Sequence, residues 1–159
     1  MQQTLSHPHI DVAGLIAAGA VETFMQPIAS MRRQGLIGVE ALTRCQVDGT
    51  PIPPPELFGA AERAGLAGEL DRLCRRRAIQ CFRALHARQP ELVLFVNCHP
   101  STLTEAPDAL DGWTSLARRY GVDPRNVAVE ISEEAMEDPT AARVAARALR
   151  EASFLVVLD

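Results

Sequence analysis

At 159 residues, with 47% hydrophobic and 4% aromatic side chains, the chain is long enough for one ordinary core and too apolar to be disordered. A formal net charge of −4 gives no general attraction for DNA or anionic membranes. All 16 basic residues are arginine, so lysine chemistry is excluded within this stretch. Cys45, Cys74, Cys81 and Cys98 form no CxxC pair and read as reduced, mostly packed thiols. Cys98 and His99 are adjacent, and in a strand they face opposite ways, which is poor geometry for a shared metal. No signal-like segment opens the chain, and no apolar run approaches the ~20 residues of a membrane span. The expectation is a cytoplasmic protein.

Residues 1–21 read as a lead-in ending in a short Ala-rich helix over Ile10–Ala20, with Asp11 placed near its start as a cap. Two apolar strand-like runs follow, Phe24–Ser30 and Gly35–Arg44, joined by a polar turn around Arg32–Arg33–Gln34. The second run alternates. Gly38, Glu40, Leu42 and Arg44 share one face, and Val39, Ala41 and Thr43 the other. Asp48–Pro55 reads as loop, because its prolines interrupt helix and sheet alike. Glu56–Ala64 is a short helix ended by Gly65.

The longest helix is predicted over Ala67–Arg88. Leu66, Leu70, Leu73, Cys74, Ala78, Cys81, Phe82 and Leu85 form its apolar stripe. Arg72, Arg75, Arg76 and Arg77 read as a solvated flank beside it and not as a nucleic-acid patch. Leu92–Asn97 is a strand, Pro107–Tyr120 a helix and Val127–Ile131 a strand. Pro139–Glu151 is an amphipathic helix with Asp138 as candidate N-cap, and Phe154–Leu158 is a last strand. Apolar strands separated by helices imply an α/β protein with a parallel sheet. Periodicity alone leaves an open doubly wound sheet and a (βα) barrel equally possible.

A polar residue sits at or near the C-terminal end of each of these strands: Glu40 in the second, Asn97 after LVLFV, Glu130 after VAV, and Asp159 after LVVL. In a parallel α/β fold the strand ends converge on one rim, where ligands bind. One such residue is an ordinary loop-facing cap, but the repetition across strands is harder to dismiss. Carboxylates with an amide oxygen are hard ligands that suit Mg²⁺ or Mn²⁺. With Arg44 nearby, they point to chemistry on a phosphate ester. No Gly-rich phosphate loop, Ser–His–Asp order or Rossmann fingerprint competes.

FMQPI at Phe24–Ile28, GVEAL at Gly38–Leu42 with Arg44, LFVN at Leu94–Asn97, EISE at Glu130–Glu133 and the closing LD occur in one order. Together they resemble the EAL-domain cyclic-di-GMP phosphodiesterases of bacterial second-messenger signalling, over residues 22–159. The resemblance implies a TIM-type (βα) barrel that hydrolyses cyclic di-GMP to pGpG with Mg²⁺ or Mn²⁺. It implies Glu40, Asn97, Glu130 and Asp159 as metal ligands, with Glu40 catalytic. Gln26, Leu42 and Arg44 are then substrate contacts, with Arg44 near a phosphate, and Glu133 supports the site from behind. The family carries a second aspartate, a lysine and further acids in later strands, which this sequence lacks. The expectation is therefore a partial barrel with open edges that lacks turnover by itself. It would be completed by the rest of the domain or by a second copy. The alternative is a non-catalytic cyclic-di-GMP-binding or dimerisation module.

Overall fold

The computed structural model describes residues 10–98, 108–131 and 139–158. Helix α1 (Val12–Ala18) is too short to persist on propensity alone and is fixed at both ends. The Asp11 carboxylate accepts a 3.0 Å hydrogen bond from the Gly14 amide, and Gly19 closes the helix at φ 62°. Arg77 then donates to the Gly19 carbonyl at 3.0 Å, tying this end to the long helix.

Strands β1 (Glu22–Ser30) and β2 (Gly35–Val47) form an antiparallel hairpin. Its turn uses Gln34 at φ 49° and a 3.2 Å bond from the Arg33 amide to the Ser30 hydroxyl. The proline-rich stretch after β2 departs from the loop expectation. Thr50–Ile52 is a short strand, β3, paired antiparallel with Cys45–Val47. Asp48 and Gly49 both take positive φ, at 50° and 76°, which gives the two-residue hairpin turn that Asp-Gly favours. Pro51 is tolerated because β3 is an edge strand, and Pro54 opens helix α2 (Pro54–Arg63), where its missing N–H costs nothing.

Helix α3 (Ala67–His86) is followed by β4 (Val93–Cys98), α4 (Asp108–Tyr120), a 3₁₀ turn at Pro124–Asn126 and β5 (Val127–Ile131). Helix α5 (Pro139–Glu151) and β6 (Leu155–Leu158) complete the order. The sheet runs β1-β2-β4-β5-β6, with β3 beside β2; β2, β4, β5 and β6 are mutually parallel. Asp138, His99, Glu133 and Asp159 lie outside the described residues.

Val39, Ala41, Leu94, Val96, Val127 and Val129 lie on one sheet face and join Ile79, Phe82, Trp113, Ala117 and Leu149 from the helices in the main core. A second core gathers Val12, Val21, Cys45, Ile52, Leu57, Leu70 and Leu73 around α1 and α2. Helix α3 spans both. Helices packed on one face only are the mark of a barrel segment and not of a doubly wound sheet. Among the described residues the sheet does not close, so the architecture is a partial (βα) barrel.

Two features of α3 correct the sequence reading. Cys81 and Leu85 are exposed, while Ile79 is fully buried, so the stripe is rotated toward Ile79. Arg75 is not a solvated flank. It is 2% exposed, lies 3.0 Å from Asp71 one turn earlier, and stacks over Trp113 at 4.8 Å. A guanidinium tolerates this burial because a carboxylate and an aromatic face replace its water. Arg77 is half-buried by its bond to Gly19. Cys45, Cys74 and Cys98 are buried, Cys81 is exposed, and none of the four is joined in a disulfide. Burial pushes the Cys74 thiol up to about 11 and raises Cys45 as well, so both stay neutral.

Candidate functional site

The site lies on the sheet face that the helices leave open. Cross-strand partners share a face, so the register fixes which side chains meet there. Gln26 pairs with Glu40, and Glu40 with Phe95 on the next strand. Asn97 pairs with Glu130, and Glu130 with Val157. Val39 and Ala41 enter the core from the opposite face. Gln26, Glu40, Asn97 and Glu130 therefore stand on the open face, with Asn97 and Glu130 near the C-terminal ends of β4 and β5 and Glu40 midway along β2.

Glu40 sits one pleat below the level of Asn97, yet the two side chains meet. The Asn97 amide Nδ2 donates to Glu40 Oε1 at 3.3 Å. Glu40 and Glu130 are half-buried and Asn97 is exposed. A half-buried carboxylate needs compensation, and one long hydrogen bond from a neutral amide to Glu40 supplies no more than about 1.5–3 kcal/mol. Two carboxylates and an amide on neighbouring strands, about 4.8 Å apart, are hard donors that fit a Mg²⁺- or Mn²⁺-class cation. Among the described residues no group of three or more His, Cys, Asp or Glu comes together.

Leu42 and Arg44 continue along β2 on the same face, opposite Phe24 and Glu22. Both are half-buried. Arg44 Nη1 donates to the Thr43 carbonyl at 2.8 Å, and its guanidinium lies 5.8 Å from the centre of the Phe24 ring. The structure thus groups Gln26, Glu40, Leu42, Arg44, Asn97 and Glu130 on one face. Phe24 shares that face and was not singled out from sequence. The signal for it was the alternation through Gln26 combined with the hairpin register.

The sequence model of the EAL domain matches residues 11–159. This chain belongs to the EAL domain family. Its namesake triplet, Glu40–Ala41–Leu42, lies in the middle of β2, with Ala41 in the core and its neighbours on the open face. A probable cyclic di-GMP phosphodiesterase, PdeB of Escherichia coli (strain K12), is 28% identical over 159 residues, covering 98% of this chain and 30% of that protein.

Among solved structures, the PaMucR phosphodiesterase in complex with c-di-GMP superposes with a TM-score of 0.79 at 21% identity, covering 92% of this chain and 62% of that one. Klebsiella pneumoniae BlrP1, solved with manganese and c-di-GMP, superposes at 0.74 with 25% identity, covering 88% of this chain and 34% of that one. The same protein solved with calcium and c-di-GMP gives 0.75. The chain therefore spans less than a third of PdeB and under two thirds of the PaMucR chain. The fold is that of the EAL barrel, present in part. No described helix is long and apolar enough to cross a membrane.

Proposed function

We propose that this EAL domain binds cyclic di-GMP at the open sheet face and carries the metal-holding half of a phosphodiesterase site. The observation that supports it most directly is the 3.3 Å contact between Asn97 and Glu40, with Glu130 beside Asn97 in register. In this reading Glu40, Asn97, Glu130 and Asp159 hold Mg²⁺ or Mn²⁺, and Glu133 supports them. When bound, the metal polarises the phosphoryl group or activates water. Hydrolysis adds one water across one phosphodiester bond and opens the ring to pGpG.

The protein's own groups bind and orient. Arg44 offers a fork of N–H donors to a phosphate oxygen, and its partial burial lowers the water competition for that contact. Gln26 supplies an amide to the nucleotide, and Leu42 an apolar wall. Glu40 would contribute negative charge to the cation site from β2, beside Asn97 on the neighbouring β4. The metal complexes of BlrP1 favour a divalent ion in this family.

The second aspartate and the lysine that the resemblance implies for catalysis fall in later strands of the domain, so these 159 residues tested alone are expected to bind metal and nucleotide and to leave cyclic di-GMP intact. Titration with Mn²⁺ should show binding that Glu40→Ala abolishes; unchanged affinity in that variant would remove the ligand set. Chromatography after incubation with cyclic di-GMP and Mg²⁺ or Mn²⁺ checks turnover. Appearance of pGpG would show that the chain assembles a complete site.

A further inference from the structure

Phe24 is a large apolar side chain that neither core absorbs. It is 56% exposed, although it sits inside a strand with cross-strand partners on its inner edge. Its partner is Leu42, flanked by the Gln26–Glu40 and Glu22–Arg44 pairs, so the ring stands among the nucleotide-contact candidates. The Arg44 guanidinium lies 5.8 Å from the ring centre, steadied by its 2.8 Å bond to the Thr43 carbonyl. An exposed ring beside a cation that can face a phosphate is the combination with which proteins hold unpaired nucleotides. The ring stacks a base, because every base has a π-face, and the cation follows the backbone.

We propose that Phe24 is a base-stacking residue of the site. One guanine of cyclic di-GMP lies against its ring while Arg44, alongside, holds a phosphate. This assignment rests on the nucleotide reading above. It adds a source of selectivity that the metal-facing residues lack: carboxylates and an amide select a cation and a phosphate ester, whereas an aromatic face selects ligands that carry a base. A guanidinium next to the ring also limits the positions of the base, because ring and phosphate must be engaged together.

The test uses the full 159-residue chain. F24W places an indole at this position, and a stacked guanine quenches indole fluorescence. The native Trp113 is 2% exposed and gives a constant background. Cyclic di-GMP should quench the F24W signal, and ribose 5-phosphate, which has no base, should leave it unchanged. Calorimetric titration should show F24A binding cyclic di-GMP about tenfold or more weakly, with F24Y close to native. Circular dichroism confirms that each variant is folded. Native affinity in F24A together with an unquenched indole in F24W would overturn the stacking role. The nucleotide reading would then survive, with Phe24 a surface that other strands cover. Absence of any cyclic di-GMP binding by the unsubstituted chain would remove the nucleotide reading, and the stacking role with it.

Discussion

Arg75 shows how far a single residue can stand from its sequence context. It lies in a run of arginines, yet it is buried against Asp71 and Trp113 and links α3 to α4. The 3.0 Å approach to Asp71 lacks the angle of a hydrogen bond, so the attraction is mainly between charges. Taking one partner away leaves an uncompensated charge in a dry environment. Asp71→Ala should therefore destabilise the fold by about 3–5 kcal/mol, measured by urea denaturation. The double variant Asp71→Leu/Arg75→Met should recover much of that loss, because apolar groups of similar size need no compensation. Equal losses in the single and double variants would mean that packing, and not charge, dominates at this position.

At the scale of elements, the site depends on how closely β2 approaches β4. Gly38 makes that approach possible. A Cβ there would meet the Val93 carbonyl and come within 2.8 Å of Phe95 Cε2. Backbone cannot give way as a flexible side chain can, so a methyl group should push the strands apart. Gly38→Ala should cost about 1–3 kcal/mol. It should also weaken Mn²⁺ binding without touching a donor atom, because Glu40 and Asn97 stand on the two separated strands. Thermal denaturation and metal titration of the same sample would check both effects. A stable variant with weakened binding would also be informative, since it would place the effect in strand spacing alone.

At the scale of the whole molecule, the sheet ends at β1 on one side and β6 on the other among the described residues. Leu36, Leu155 and Leu158 are each more than 40% exposed. Unpaired strand edges beside apolar side chains favour pairing with another chain. Sedimentation velocity should therefore show species heavier than the 17.3 kDa monomer, growing with concentration. A clean monomer with cooperative unfolding would argue that the partial barrel is self-sufficient.

The sequence by itself determined most of the order of elements, because helix and strand periodicities differ and the glycines at 65 and 121 mark turns with positive φ. It also determined the face shared by Glu40, Leu42 and Arg44, since alternation in a strand is a local property. Strand β3 was legible in Asp48–Gly49, but the prolines around it outweighed that signal. Other features were decided only by the tertiary structure. An arginine's burial depends on whether a carboxylate and a tryptophan from distant turns meet it, and nothing local to Arg75 encodes Trp113. The meeting of Asn97 with Glu40 depends on the parallel register of β2 and β4, fixed by side chains packing behind both strands. Periodicity left barrel segment and doubly wound sheet open, because both folds read as the same alternation along the chain. The ordered motifs implied the barrel, and the helices packed on one sheet face are the physical reason it holds.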